Sequence, residues 1–465
     1  MSWGLAYYAL EWAIRITALL IVPVRKPAAT ATSWLLLIFF LPVPGIVLYL
    51  AIGSASLPRW RTRQFTARLP EFSKLANSIA REDPDGSKSE DLTEKVVANS
   101  GLMPAIGGNN LELLVDYQAM IDQLVTDIDE ASERVHMVAY IFASDSTGKK
   151  VVAALERAVK RGVQCRVLVD PIGSAHWFRE IQSMLRGIGV DVRATLALHS
   201  LRRWTRRDLR NHRKLYLIDG DTAYVGSQNI VAADFRPGIV NQEVVVRSQG
   251  PVVAELEAIF AVDWQNETGE WLGDKISIPK AAGNARLQVL ASGPDFSPEG
   301  FRSLLLQVIH SACSRILIVT PYLIPDPSVL AAMKLARLRG VEIVIAVSRV
   351  RDHPIVHLAQ ESYYSELLDI GVQLVAARDG LLHAKVVVSD RQVGVVGSGN
   401  LDIRSLILND ELSLVIYDEA SIAALAETVE RMIESAGPIS RTEWDARPKL
   451  ARVVENLARL TSPLL

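Results

Sequence analysis

Cysteine is nearly missing: Cys165 and Cys313 are the only two in 465 residues. That excludes a disulfide framework and a zinc site built from cysteines. An excess of either charge is missing as well. Lys and Arg number 50 against 52 Asp and Glu, a formal net charge of -2. No global basic field exists to hold a long nucleic acid, and no nucleic-acid partner is expected. No glycine-rich nucleotide loop is evident. Charge vanishes altogether between residues 27 and 58. What is present is apolar: hydrophobic residues make up 49%. That composition excludes disorder and points to a membrane segment. The length suits two domains of roughly 150 residues each plus extras.

Residues 34–53 are an apolar run about long enough to cross ~30 Å of hydrocarbon. Trp34 and Tyr49 suit the interfaces, and Trp60 follows among Arg59, Arg61 and Arg63. Pro42 and Pro44 would kink such a helix without forbidding it. Residues 2–24 are the weaker candidate, a second span or a helix lying in the interface. Glu11 and Arg15 interrupt it, four apart, so that they can pair on one face. A cleaved signal peptide fits poorly, since no basic region precedes the apolar run. The expectation is a paired anchor over 1–58 and a linker over 59–108, with a polar loop at 81–91. Arg25, Lys26, Arg59, Arg61, Arg63 and Arg68 favour a cytoplasmic body on a multi-pass anchor.

From about residue 110 the chain repeats itself. Residues 133–142 resemble 314–323, both short apolar runs that read as buried strands. An amphipathic helix follows each, with Val151, Val152 and Leu155 in one and Val329, Leu330 and Met333 in the other. Each helix ends at Arg-Gly-Val, at 161–163 and 339–341, and opens another apolar strand, 165–169 and 343–347. Glycine at a helix end before a strand is an αβ signal. These are βαβ units, hence an α/β fold with a largely parallel sheet covered by helices. A closing helix recurs near 251–264 and 420–434. Loops over 267–286 separate a first lobe, 109–268, from a second, 287–436, and residues 437–465 form a tail. A site between the lobes would draw one set of groups from each.

The chemistry lies in a doubled constellation. His212, Lys214, Asp219, Ser227 and Asn229 stand in the first lobe; His383, Lys385, Asp390, Ser398 and Asn400 stand in the second. In both copies Lys follows His by two residues, Asp by seven, Ser by fifteen and Asn by seventeen. His and Lys at i and i+2 of an extended chain face the same way, so imidazole and ammonium converge on one anion. The Gly-Ser-x-Asn turn closes a neighbouring strand and adds hydroxyl and amide donors. Two copies make a phosphate site holding a nucleophile and an acid/base group. A single His is more often a hydrogen-bonded core residue, but chance does not explain a doubled, in-register set.

The pattern resembles the phospholipase D superfamily, whose signature is two such His-Lys-Asp motifs. It is most similar to bacterial cardiolipin synthases, through the paired apolar segments, residues 210–220, 320–322 with 325–326, 362–368, 400–405 and the ending 455–465. One departure is Gly399 where the first copy has Gln228. The resemblance implies two similar phospholipase D-like lobes, each a mostly parallel or mixed sheet flanked by helices, after a transmembrane helix pair. It implies that His212 attacks phosphorus and forms a phosphatidyl-histidine, while His383 protonates the leaving glycerol and later deprotonates the incoming hydroxyl. Lys214, Lys385, Asn229 and Asn400 would hold the non-bridging oxygens, with Ser227 and Ser398 as supporting donors. Asp219 and Asp390, at the far strand ends, read as structural. The family also places an acidic residue further on to orient each His, and Glu243 and Glu411 fit. No metal and no cofactor are implied. The reaction implied is two phosphatidylglycerols to cardiolipin plus glycerol, at a bacterial inner membrane, with phosphatidylglycerol and other anionic phospholipids as partners. The rivals are a phospholipase D hydrolase, another phosphatidyltransferase, or a membrane-anchored scaffold, which has no use for matched charged sets.

Two more stretches point to the membrane. Residues 201–210 hold five arginines and Trp204, either a headgroup-binding loop or a solvated one. In the tail, Leu450, Val453, Val454, Leu457 and Leu460 recur at helical spacing. That helix could lie on the bilayer or pack on a lobe, and packing is the favoured expectation.

Overall fold

The computed structural model describes residues 3–26, 28–53, 59–82, 91–196, 209–236, 238–378 and 380–462. The arginine-rich stretch 201–208, most of the polar loop 81–91 and the last three residues lie outside them. Two compact units result, Met1–Trp60 with Leu198–Leu209, and Arg61–Ala197 with Arg210–Leu465.

In the first unit the expectation of one span over 34–53 is corrected. Two short helices stand there, Ala28–Phe40 of 13 residues and Pro42–Ile52 of 11. Each is shorter than a bilayer crossing needs. The break is at Leu41, held extended at φ -131° and ψ 74°. The ring of Pro42 disfavours helical geometry in the residue before it and supplies no N–H of its own. Among the described residues, one helix is long and apolar enough to cross a membrane: Trp3–Arg25, of 23 residues, the weaker candidate from sequence. Its Glu11 and Arg15 do pair, at 3.2 Å. Arg15 Nε also donates to the carbonyl of Phe39, 3.1 Å away, one of the last carbonyls of a helix that ends at the break. Trp34 and Tyr49 meet edge to face, ring centroids 5.3 Å apart, in a small cluster with Val22 and Ile38.

In the second unit seventeen strands form one sheet of fifteen that runs through both lobes and one separate pair. The first lobe contributes β1 (Ile106–Leu114), β2 (Arg134–Ala139), β3 (Gln164–Val169), β4 (Asp191–Ala194), β5 (Leu215–Ile218), β6 (Thr222–Gly226), β7 (Asn241–Gln242) and β8 (Val245–Gln249). The second contributes β9 (Ala285–Ser292), β10 (Arg315–Val319), β11 (Glu342–Ser348), β12 (Gln373–Ala377), β13 (Leu381–Leu382), β14 (Val386–Ser389), β15 (Val393–Gly397), β16 (Glu411–Ile416) and β17 (Gly437–Pro438). The order β4-β3-β2-β5-β6-β8-β1 in one lobe is matched by β12-β11-β10-β14-β15-β16-β9 in the other, and β1 joins β9 antiparallel. Strands β2, β3 and β4 run parallel, as do β10, β11 and β12, because helices carry the chain back between them. The remaining pairs within each lobe, joined by hairpins and longer returns, are antiparallel, so each sheet is mixed. The expected glycines end their helices: Gly162 and Gly340 adopt φ of 92° and 89°, which a side chain would resist.

The core lies between and around these strands. Helix Val252–Thr268 is buried on every side over residues 252–266, which explains its lack of an apolar stripe. Residues 59–108, expected as linker, carry helix Arg59–Arg81, whose Phe72 and Ile79 are in the same core, and helix Leu92–Gly101, tied by Glu94 to Arg286 at 2.9 Å.

Asp219 ends β5 with φ 51° and accepts from the backbone N–H groups of Ser132, Glu133 and Arg134 at 2.8–2.9 Å. Asp390 ends β14 with the same φ and binds the N–H groups of Cys313, Ser314 and Arg315. Both aspartates thus clamp the start of a neighbouring strand. Burial opposes their ionisation, yet the N–H donors win and both carboxyls sit below the usual range. Their stabilisation is complete above the unfolded value of ~3.9 and is lost as pH falls through the lower folded values. Asp219→Ala is expected to cost about 2 kcal/mol of stability at neutral pH in thermal unfolding. The penalty should shrink in acid; a loss as large at pH 3 would refute the clamp.

Candidate functional site

The two motifs lie in short extended segments just ahead of β5 and β14. Each segment is clipped to the opposite lobe. The N–H of His212 donates to the carbonyl of Asp410 at 2.8 Å, and Asn211 bridges to Asp410. The N–H groups of His383 and Ala384 donate to the carbonyl of Gln242, each at 2.9 Å, where β13 runs parallel to β7. Asp410 and Gln242 directly precede the two candidate orienting acids, so each clip brings a carboxylate to the other lobe's imidazole. Nδ1 of His212 lies 2.9 Å from Glu411 Oε2, and Nδ1 of His383 lies 2.7 Å from Glu243 Oε1. The pairing is crossed: each acid serves the histidine of the other copy.

The lysines complete each half. Lys214 Nζ donates to the carbonyl of His212 at 2.7 Å and sits 5.0 Å from the centre of the Tyr140 ring; Lys385 Nζ donates to the carbonyl of His383. The two halves share one field, since the charge of Lys385 acts on His212 and that of Lys214 on His383. The hairpins β5–β6 and β14–β15 bring the serines and asparagines alongside. The serines do not serve as expected. Ser398 Oγ donates to Glu411 at 2.5 Å while accepting from Leu412 N–H, and Ser227 holds the backbone of Val244 in the same way beneath Glu243. They brace the carboxylates. Asn229 uses its oxygen to accept from Ile141 N–H at 3.2 Å, which turns its amide hydrogens away from that contact. Asn400 donates to Asp402 at 3.1 Å. Asp219 and Asp390 lie at the far ends of their strands, in the clamps already described.

Burial sets the protonation states. It pulls His212 down to about 4 although Glu411 opposes it, and lowers His383 although Glu243 opposes it. It would raise both acids, but the facing histidines and lysines outweigh it and hold Glu411 and Glu243 at about 2. At neutral pH His212 is therefore a neutral imidazole donating Nδ1–H to Glu411, with Nε2 unprotonated. The lysines are lowered by burial to about 7 for Lys214 and about 8 for Lys385. A cluster of half-desolvated cations that gain from any anion is a site for a phosphate or sulfate group.

Several residues escaped the sequence reading. Tyr140 meets His212 edge to face at 4.6 Å. Asp402 is buried beside Asn400, and burial with Glu411 nearby lifts it to about 6. Arg213, fully buried, contacts Asp263 at 2.5 Å and the carbonyl of Glu411 at 3.2 Å. Arg61 binds Asp295 through two nitrogens at 2.5–2.8 Å and Glu267 at 2.7 Å, and the N–H of Asp295 reaches Asp410. Burial and the charge of Asp295 push Asp410 well up, despite Arg213. This ion network sits beneath the clip that holds His212. The repeat does not announce it, because Arg213 stands where the second copy has Ala384.

The family described as "Cardiolipin synthase, PLD-like domain" matches residues 124–264 and 305–433. The chain is 35% identical over 459 residues to cardiolipin synthase A of Proteus mirabilis, covering 95% of this chain and 94% of that protein. It is 35% identical over 486 residues to cardiolipin synthase A of Erwinia tasmaniensis, covering 100% and 99%. Among solved structures, phosphatidylserine synthase of Haemophilus influenzae superposes with a TM-score of 0.62 at 14% identity, over 81% of this chain and 100% of that one. At that identity the likeness speaks for the fold alone.

Sulfate does not titrate near neutrality, so it tests the lysines directly. Lys214 and Lys385 lose their protons as pH rises through about 7 and about 8. Calorimetric titration should find sulfate bound about tenfold more weakly at pH 9 than at pH 6. Affinity that does not change over that range would dismiss the lysines as the anion-holding pair.

Proposed function

The chain belongs to the cardiolipin synthase family of phospholipase D-like proteins and is a phosphatidyltransferase; from that premise we propose how its residues divide the work. Nε2 of His212 attacks the phosphorus of one phosphatidylglycerol. The N–P bond forms as the P–O bond to the headgroup glycerol breaks, and His383 supplies the proton that the glycerol carries away. The terminal hydroxyl of a second phosphatidylglycerol then gives its proton to His383 and attacks phosphorus. The new O–P bond forms, the N–P bond breaks, and His212 is regenerated. One phosphodiester is made for each one broken, so the exchange is near thermoneutral.

The observation that carries this reading is the crossed pair of His–Glu contacts, at 2.9 and 2.7 Å. Glu411 fixes the His212 tautomer that leaves Nε2 open, and Glu243 stabilises the charged imidazole of His383 when it holds the proton. Burial keeps His212 unprotonated and so nucleophilic at neutral pH. The second half carries further acids, Asp402 and Asp352, whose charges act on Lys385. The acid/base role falls to His383 as the histidine of the second motif, the first motif supplying the nucleophile. Lys214, Lys385, Asn229 and Asn400 would grip the non-bridging oxygens as charge shifts in the transition state. The body lies on the cytoplasmic face of a bacterial inner membrane, held by the N-terminal helices. A hydrolase would use water as acceptor in the same site, and the products separate the two.

In phosphatidylglycerol vesicles the full chain should yield cardiolipin and glycerol; phosphatidic acid as sole product would exclude the transfer. His212→Ala should abolish turnover without loss of folding, and an alkaline-quenched adduct should map to the His212 peptide. Adduct on His383 would reverse the roles. Glu411→Gln should lower kcat/KM by roughly 10–100-fold. In a double-mutant cycle Glu411 should couple to His212 far more strongly than Glu243 does; the opposite order would refute the crossed assignment. The free chain should lose kcat/KM above pH 7–8 as Lys214 and Lys385 deprotonate, and in acid as His212 gains a proton near 4.

A further inference from the structure

Helix Lys449–Arg459 is amphipathic, with Leu450, Val453, Val454, Leu457 and then Leu460 at three- and four-residue spacing on one stripe. A helix of a water-soluble body turns such a stripe inward. This one does the reverse. The five apolar side chains are between 42% and 76% exposed, while Glu455, on the opposite side, is 4% exposed. The polar side is what packs. Glu455 is neutralised by Arg447 at 2.8 Å, Arg459 stacks 4.0 Å over the Tyr363 ring and reaches Glu366 at 3.1 Å, and Ala458 touches the second-lobe core. The sequence expectation that the apolar stripe packs on a lobe is corrected: the helix packs on the second lobe, but with the stripe facing out.

Ion pairs and a buried carboxylate hold the helix this way round. Turning it over would bury the stripe and would also break the Arg447–Glu455 and Arg459–Glu366 pairs, stranding Glu455. A contiguous apolar face of this kind marks a contact surface. The charges name the contact. The helix has one acid, Glu455, and it points inward, whereas Lys449 is exposed beside Leu450; Arg452 turns to the carbonyl of Asp445. The outward side of the helix is therefore apolar, flanked by the cation Lys449 and without a carboxylate of its own, which complements an anionic bilayer surface. We infer that helix Lys449–Arg459 lies in the interface of a bilayer containing anionic phospholipid and there holds the catalytic body at its lipid substrate. The inference rests on the lipid-substrate reading above only for the purpose it gives the contact, not for the contact itself.

The test uses the full chain carrying Cys313→Ser, because Cys313 is the exposed cysteine and Cys165 is buried. Leu457→Cys, or Lys149→Cys in the first lobe as control, is labelled with an environment-sensitive fluorophore. Each protein is reconstituted in phosphatidylglycerol–phosphatidylcholine vesicles containing lipid-borne spin labels. Quenching at 457 should exceed that at 149 by at least about twofold, and the same result is expected in a His212→Ala background, where turnover plays no part. No lipid quenching at 457 would overturn the proposal. So would shielding that grows with protein concentration in detergent without lipid quenching, the sign of a second copy on the stripe. As a second arm, Leu450→Glu with Leu457→Glu should raise KM for vesicle lipid about tenfold and leave kcat in detergent micelles unchanged. Unchanged KM, or an equal fall in kcat in both settings, would refute a membrane-contact role. Loss of turnover in all proteins alike, with quenching intact, would instead count against the reaction.

Discussion

The structure depends on two carboxylates that each reach across to the other lobe's histidine. Neither half owns a complete His–Glu pair. Glu411 fixes His212, and Glu243 fixes His383. A lobe alone would present an imidazole with no tautomeric preference and a buried carboxylate with no partner, the costly state for a charge out of water. The demand on the rest of the fold is therefore a stiff junction. The clips from Asp410 and Gln242 supply it at the level of backbone, the β1–β9 pairing fuses the sheets, and Arg213 and Arg61 lock the acids beneath. An ionic network buried this deeply contributes little net stability, since desolvation offsets attraction. What it specifies is register: each charge has few positions at which it is satisfied.

Duplication explains the frame, and in the proposed mechanism the departures from it would carry the division of labour. The same strand order, the same left-handed Asp and the same Lys-to-His-carbonyl contact appear twice. Symmetric parts would give two equivalent histidines, whereas phosphoryl transfer needs one nucleophile and one proton carrier. The differences break that equivalence. Asp402 stands beside Asn400 only in the second half, with Val231 at the matching place in the first. Gly399 replaces Gln228 for a packing reason: a Cβ there would collide with the Phe301 ring, whereas Gln228 spans to the carbonyl of Tyr117 at 2.9 Å. Tyr117 and Phe301 each open a helix of their lobe. The glycine thus pairs with a ring and the glutamine with a carbonyl.

What could be read from the sequence was what the repeat wrote twice. The βαβ units, the two lobes and the doubled His, Lys, Asp, Ser and Asn were legible because the spacing was equal in both copies. Single-copy features were not. Arg61 looked like one of several basic residues flanking a membrane segment, yet it is buried against Asp295. The crossing of Glu243 and Glu411 depends on how the lobes face each other, which local pattern does not encode. Ser227 and Ser398 were assigned by proximity to the centre, but their hydroxyls turn to backbone and carboxylate. The anchor misled because Pro42 and Pro44 read as a kink within one span, whereas the chain breaks at Leu41, ahead of Pro42, into two short helices.

The electrostatics of the centre bear on why transfer can outrun hydrolysis. Lysines held near 7 and 8 are lysines already stripped of much of their water. They recover that cost when an anionic phosphodiester arrives, not when water does, so binding substrate is what charges the site fully. The same desolvation keeps His212 neutral and its Nε2 available before the phosphorus arrives. Once the adduct has formed, the acceptor must deliver a hydroxyl to phosphorus before water can. A soluble body in bulk solvent meets water at every approach. A body lying on the bilayer with its apolar side down would instead meet a dense layer of lipid hydroxyls. On this view buried lysines and an outward-facing apolar helix address one problem at two scales: the first selects an anion at the phosphorus, and the second sets which nucleophile is most concentrated around it.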